Sequence, residues 1–162
     1  MRWILLIYKI PPAPAKNRIG VWRKLKKLGA IYLQKSVVVL PDNAYLRDEL
    51  ENLAHDIENF HGEATIVFTN GIEKEEKIIA MFHDQVNKEY EKIITGGAKF
   101  LKITSSGKKQ SKIKDLGAIL DELKQKITDT RHMDYFDAEK RNEAERAIQE
   151  CGERYLLLLR KA

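Results

Sequence analysis

Cysteine is nearly absent from this chain, and long apolar runs are absent altogether. The single cysteine, Cys151, cannot form an intramolecular disulfide, so no disulfide framework is expected. The apolar stretch at residues 3–8 is too short for the core of a signal peptide, and Leu156–Leu159 is far shorter than the roughly 20 apolar residues that cross a bilayer. We therefore expect a cytoplasmic protein with no membrane segment.

Motifs that carry enzyme chemistry are also missing. The four histidines lack a spacing that places two of them on one helical face, and there is no CxxC or HExxH, so no metal site is predicted. Gly107-Lys108 fails as a phosphate-binding loop, because Lys109 and Lys102 stand where Ser or Thr and a glycine are required. The sequence predicts no catalytic residue, no cofactor and no enzymatic activity.

Acidic residues are absent from the chain before Asp42, and this absence leaves a local positive charge. The formal net charge is only +5, so its distribution says more than its sum. Basic residues fill two acid-free runs, which predict an anionic partner at defined places: Arg2, Lys9, Lys16, Arg18, Arg23, Lys24, Lys26, Lys27 and Lys35 in the first, and Lys92, Lys99, Lys102, Lys108, Lys109, Lys112 and Lys114 in the second.

The first run surrounds a predicted helix. An apolar strand at residues 3–10 is followed by a proline-rich turn, and helix is expected after Lys16 with Asn17 as its N-cap and Gly29 at its end. At 100° per residue, one side is predicted to be the basic face and the other to be core with Trp22 packed inward. The predicted core residues are Ile19, Val21, Trp22, Leu25 and Leu28.

Residues 1–70 have the pattern of a ferredoxin-like domain. Strands are predicted at 30–34, 36–40 and 64–69, with a helix at 43–60, which completes the order β-α-β-β-α-β. Two helices would cover one face of a four-stranded antiparallel sheet. The other face would need a cover, either the rest of the chain or a second subunit, so a homodimer is one hypothesis.

Residues 71–162 are predicted to be helical, which makes the chain an α+β protein with two domains. One helix is expected to end near Gly96-Gly97, and a loop is expected at 104–107. Two matched apolar stripes then predict an antiparallel helical hairpin. These stripes are Ile113, Leu116, Leu120, Leu123 and Ile127, and Ala144, Ile148, Cys151, Tyr155 and Leu158.

The segment from Trp3 to Pro41, WILLIYKIPPAPAKNRIGVWRKLKKLGAIYLQKSVVVLP, contains a strand, a PP-x-P turn, an R-x-x-V-W-R-K-L helix and a strand that ends V-x-V-L-P. Together with Asp134-Tyr135-Phe136, Ala144-Glu145 and Cys151, it resembles the N-terminal domain of the ChrB chromate-resistance family. The resemblance implies a transcriptional regulator of chromate-efflux operons. Its expected partners are operator DNA and an oxyanion such as chromate.

The resemblance and the charge pattern meet at the first helix, which we expect to bind DNA phosphates. The rival interpretation is a protein-interaction module, in which the helical region docks a partner and the basic helix is incidental. A Cas2-like nuclease is a third reading, but that family has an aspartate where this chain has Tyr8-Lys9-Ile10. The predicted DNA-binding residues are Lys16, Arg18, Arg23, Lys24, Lys26 and Lys27.

Overall fold

The computed structural model describes residues 1–106 and 113–161. Contacts divide the chain into two compact units, Met1–Phe82 and His83–Ala162, which are described separately below. None of the helices in the described ranges is long and apolar enough to cross a membrane.

The first unit contains the predicted β-α-β-β-α-β order. Its four strands form one antiparallel sheet in the order β2-β3-β1-β4, which confirms the ferredoxin-like prediction. The elements are β1 at Arg2–Lys9, α1 at Ala15–Lys27, β2 at Ile31–Gln34, β3 at Val37–Pro41, α2 at Ala44–Asn59 and β4 at Glu63–Asn70.

Strand β1 lies in the middle of the sheet because its side chains are apolar on both faces. Ile4 is paired with Leu40 of β3 on one side and with Phe68 of β4 on the other. Trp3, Ile4 and Leu6 are completely buried. The nearly continuous apolarity of this stretch is thus explained by cover on two sides.

Helix α2, predicted at 43–60, begins at a capping side chain and buries one apolar side. The Asn43 side chain accepts a hydrogen bond of 2.8 Å from the backbone N–H of Leu46, which satisfies one free donor of the first turn. Its apolar residues at helical spacing are buried in the core of the unit: Leu46, Leu50, Leu53 and Ile57.

Helix α1 begins earlier than predicted. Pro14, in an extended conformation, occupies the N-cap position without a side-chain hydrogen bond, and Asn17 lies inside the first turn, so the prediction of Asn17 as N-cap is wrong. The Asn17 N–H instead donates to the Pro14 carbonyl at 3.2 Å. At the other end, Gly29 has a φ of 73°, as suits the predicted terminating glycine.

The second face of the sheet is covered in part by the chain itself. Trp3 lies on the opposite face from Ile4, and its ring stacks on Phe82 with centroids 6.1 Å apart. Its indole N–H also donates to the Glu75 carboxylate at 2.5 Å. Ile7 and Val67 on that same face remain exposed, and the homodimer stays a prediction.

After β4, the described residues form three helices: α3 at Glu75–Ser105, α4 at Ile113–Met133 and α5 at Arg141–Lys161. The unit boundary falls within α3. Ile127, late in α4, shares a cluster with Ala144, early in α5, whereas Leu116 and Leu120 cluster with Cys151. The two helices are therefore antiparallel, which confirms the predicted hairpin.

Helix α3 does not end at Gly96-Gly97, so the predicted helix end there is wrong. Of the predicted loop at 104–107, Thr104 and Ser105 are still helical, whereas Ser106 is in a turn. A Cβ atom added to Gly96 would lie 2.7 Å from Leu123 Cδ2, and one added to Gly97 would lie 3.4 Å from Cys151 Sγ. The missing side chain of Gly96 lets α4 approach α3 closely, whereas a Cβ at Gly97 would make only ordinary contacts with α5. The helix continues through both glycines to Ser105. Gly107 of the predicted loop lies outside the described residues.

Candidate nucleic-acid interface

All six residues predicted to bind DNA are exposed on α1, a helix that contains no acidic residue. The structure separates them by direction and by partner into three groups. These are an outward row of Lys16, Arg23 and Lys27, the ion-paired Lys24, and a pair beside Trp22, namely Arg18 and Lys26.

The outward row lies on one narrow strip of α1. At 100° per residue its three side chains fall within about 40°, and a rise of about 1.5 Å per residue separates them by about 10 Å and 6 Å along the axis. None of the three forms an ion pair with another described residue. The strip therefore presents uncompensated positive charge to solvent.

Lys24 differs from the others because an acid faces it. Its Nζ lies 2.5 Å from Asp56 Oδ2 of α2. This contact links the two helices that cover the sheet, and it neutralises much of the charge that Lys24 would offer to a phosphate. Of the six basic residues of α1, Lys24 is therefore expected to contribute least to the binding of an anion.

Trp22 and Ile19 are exposed, at 47% and 46%, so the prediction that both pack inward is wrong. The five predicted core residues spread over about 180° of the helix, whereas the stripe that packs on a core spans little more than about 100°. The buried members are Val21, Leu25 and Leu28. Lys26 Nζ lies 4.9 Å from the centroid of the Trp22 ring.

Trp22 and Ile19 open onto a cavity of about 700 Å³, which we call the Trp22 cavity. Three elements contribute to its wall: the end of β1, helix α1 and the β2–β3 hairpin. Three of the lining residues are basic and none is acidic. The lining residues are Tyr8, Lys9, Ile10, Ala15, Arg18, Ile19, Trp22, Tyr32, Lys35 and Ser36.

Two tyrosine hydroxyls meet at this cavity. Tyr8 Oη and Tyr32 Oη are 2.9 Å apart and share a hydrogen bond. Burial and this bond raise the pKa of Tyr32 above its ordinary value of 10.0, so its hydroxyl is protonated at neutral pH. The pair offers hydroxyl donors and acceptors beside the Trp22 ring.

Sequence reasoning missed the Trp22 cavity, although a signal was present. Arg18, Trp22 and Lys26 recur every four residues and therefore follow one side of α1. Read as a stripe of its own, this spacing indicates a mixed aromatic and cationic surface. Tyr8 of β1 and Tyr32 of β2 are far apart in sequence, and they come close to this surface only because β1 and β2 lie on either side of β3 in the sheet.

The second basic run is less uniform than the first. Lys92 pairs with Glu89 at 2.7 Å, while Lys99, Lys102 and Lys114 are exposed. The other three lysines of the run lie outside the described residues. The described residues bring together no group of three or more His, Cys, Asp or Glu side chains suited to a metal ion.

The Asp134-Tyr135-Phe136 segment, one basis of the family resemblance, joins helices of the second unit. Asp134 accepts hydrogen bonds from the Tyr90 hydroxyl at 3.0 Å and from the Ala138 N–H at 2.8 Å. The Phe136 carbonyl lies 3.0 Å from His83 Nε2. These bonds hold the α4–α5 connection against α3, so the segment has a structural role in this unit.

This chain is similar to known proteins both by a family model and by direct sequence comparison. The family described as Protein ChrB, N-terminal, matches residues 18–156. Protein ChrB of Cupriavidus metallidurans is 37% identical over 54 residues, which are 33% of this chain and 17% of that relative. The aligned segment is thus well under two thirds of the relative, and no solved structure matches. Because the family match covers most of its length, this chain belongs to the family of ChrB N-terminal domains, a family associated with chromate resistance.

Proposed function

We propose that this chain regulates a chromate-resistance operon by binding its operator DNA, without catalysing a reaction, through phosphate contacts made by α1. The observation that carries the proposal is the outward row, in which Lys16, Arg23 and Lys27 face solvent without an acidic partner among the described residues. Contacts of lysine and arginine with phosphates position a protein on a duplex and add affinity at any sequence.

The charge of the neighbouring helix supports this choice of surface. Helix α1 has six basic residues and no acid, whereas α2 carries five acids with Arg47 as its one Lys or Arg. Polyanionic DNA is attracted to the first helix and repelled by the second. This difference orients the unit so that α1 meets the duplex.

An electrophoretic mobility shift with DNA from upstream of the chain's own gene tests the proposal. Specific retardation should be lost in the double variant Arg23→Glu plus Lys27→Glu, which reverses two charges of the outward row. The double variant Lys124→Glu plus Arg146→Glu is the matched control, since it makes the same change in net charge on exposed positions of the second unit.

The outcomes separate the proposal from its rivals. Loss of retardation in both double variants would mean that only net charge matters, and would contradict a role for α1 itself. If chromate is the effector, it should release the DNA at a concentration where sulfate and phosphate do not. Absence of binding even at low salt would favour the protein-interaction module.

The second candidate function, a protein-interaction module, is supported by exposed leucines on α5. Leu156, Leu157 and Leu159 are exposed near the end of α5, and Leu156 is 55% exposed. Exposed large apolar side chains in a cluster are typical of protein-interaction surfaces. A partner that binds equally well to the outward-row variant, in the absence of any DNA binding, would support this reading.

A further inference from the structure

We propose that the Trp22 cavity binds a nucleoside phosphate, taken either as a free nucleotide or as the unpaired end of a nucleic-acid strand. The base would stack on Trp22, and the phosphate would be held by Arg18, Lys9 and Lys35. This site uses a different side of α1 from the outward row. It therefore does not depend on the proposed binding of duplex DNA.

The aromatic part of the argument begins with the exposure of Trp22. An indole with nearly half of its surface in solvent, next to the equally exposed Ile19, offers an apolar surface at the mouth of a cavity. Lys26 Nζ, 4.9 Å from the ring centroid, makes a cation–π contact that orients the indole. Bases stack on such exposed aromatic rings whatever their sequence.

The charge of the lining specifies an anion. Lys9, Arg18 and Lys35 come from the end of β1, from α1 and from the turn after β2, so three basic residues from three parts of the unit line one space. No acidic side chain is among the lining residues. Arginine and lysine in this arrangement are suited to a phosphate group, with the guanidinium able to bind two oxygens at once.

The tyrosine pair adds hydroxyl groups beside the Trp22 ring. When one of the two hydroxyls donates to the other across 2.9 Å, the accepting tyrosine keeps its own proton for a ligand. A base edge or a ribose hydroxyl is a matching partner. A phosphate, an aromatic ring and a polar edge occur together in a nucleotide.

The size of the cavity is suited to a nucleotide. Its volume of about 700 Å³ is within the range of about 300–1,000 Å³ that is typical of small-molecule sites. In a duplex the faces of the bases are stacked on each other, so Trp22 cannot reach them. The ligand must therefore present an unpaired base.

Tryptophan fluorescence of the full chain tests the proposal, because its two tryptophans differ sharply. Trp3 is completely buried, whereas Trp22 is exposed at the site. Thymidine 5′-monophosphate should quench the emission saturably, and thymidine or inorganic phosphate alone should bind much more weakly. Replacement of Trp22 by phenylalanine should abolish this optical response while calorimetry still detects nucleotide binding.

Side-chain variants identify the contacts. By calorimetry, Trp22→Ala should weaken binding of thymidine monophosphate by at least about fivefold, since loss of a base–aromatic stack costs about 1–3 kcal/mol. Arg18→Ala should weaken it as well, while Lys27→Ala on the outward row should not. These positions are exposed, so unchanged melting temperatures are expected. If Trp22→Ala does not fold, the affinities of Arg18→Ala and Trp22→Phe for thymidine monophosphate test the proposal instead.

The two sources of the ligand give different affinities. Tighter binding of a short 5′-phosphorylated oligothymidylate than of the monophosphate would identify a strand end, and equal or weaker binding would identify a free nucleotide. Inorganic phosphate binding as tightly as the nucleotide would overturn the proposal in favour of a simple oxyanion site. A response that survives Trp22→Ala and Arg18→Ala would overturn it too, whereas loss of duplex binding alone would concern only the proposed function.

Discussion

At the scale of single residues, Asp42 shows how a carboxylate becomes part of the fold. Its side chain is 3% exposed, and the Arg47 guanidinium binds both of its oxygens at 2.5 Å, with Arg2 Nε at 3.7 Å. The hydrogen bonds from Arg47 hold the pKa of Asp42 below its ordinary value of 3.8. The ionised form thus stabilises the junction between β3 and α2.

This lowered pKa predicts the pH dependence of stability. The contribution of Asp42 is fully present above its unfolded-state pKa and is lost as the pH falls through its lower folded-state pKa. In urea unfolding at several pH values, Asp42→Asn should reduce the free energy of unfolding at neutral pH. The wild-type and variant curves should converge in acid.

Glu122→Gln provides the control. Like Asp42, Glu122 has a pKa lowered by a basic partner, here Lys126, but it lies on an exposed helix surface. Exposed ion pairs contribute little to stability, so this variant should follow the wild type closely. Parallel curves for Asp42→Asn and wild type down to low pH would contradict the role given to Asp42.

Single residues also show where sequence reasoning reached its limit. The spacing of Val21, Leu25 and Leu28 predicts their burial because these side chains share one stripe of α1. Trp22 and Ile19 are equally apolar, but they lie on the flank of the stripe. Whether a flanking residue is buried depends on how the helix sits on the sheet, which periodicity does not specify.

At the scale of elements, α3 is an exception to the rule that glycines end helices. Adjacent glycines commonly end a helix, and at Gly29 one does, but Gly96 and Gly97 lie inside a helix of 31 residues. The close approach at Gly96 is visible only once Leu123 of α4 is in place. A glycine chosen for close packing and one chosen for a left-handed turn are identical in sequence.

The two glycines make a matched pair for a test of this packing. Replacement of either by alanine improves helix propensity by about 0.5–1 kcal/mol. The new Cβ at position 97 makes ordinary contacts with Cys151 and Ala147, whereas that at position 96 must displace Leu123, an overpacking cost of about 1–3 kcal/mol.

We therefore expect Gly97→Ala to raise the urea midpoint followed by far-ultraviolet circular dichroism, and Gly96→Ala to lie below it by about 1–3 kcal/mol in the free energy of unfolding. The shared change in propensity cancels in the comparison. Equal free energies of unfolding for the two variants would contradict the difference in packing between positions 96 and 97.

At the scale of the whole molecule, the sequence predicts the order of elements and the position of charge, but not the site. Hydrophobic patterns give the ferredoxin-like order because each strand and helix buries its own apolar side. The Trp22 cavity is formed by residues from β1, α1 and the β2–β3 hairpin, whose meeting depends on tertiary packing. Local patterns therefore identified the basic helix but not the cavity beside it.

Salt dependence tests the charge distribution as a whole. If the outward row and its neighbours on α1 neutralise about four phosphates, the logarithm of the operator-binding constant should fall with the logarithm of salt concentration at a slope of about −3.6. Arg23→Glu plus Lys27→Glu removes two contacts and should reduce the slope by about 1.8, while Lys124→Glu plus Arg146→Glu should leave it unchanged.

Fluorescence anisotropy of a labelled operator over a range of salt concentrations measures all three slopes. Since Lys24 is already paired with Asp56, Lys24→Ala should change the slope less than Lys27→Ala does. A slope near zero for the wild type, or equal slopes for the two double variants, would show that α1 is not the surface that meets DNA.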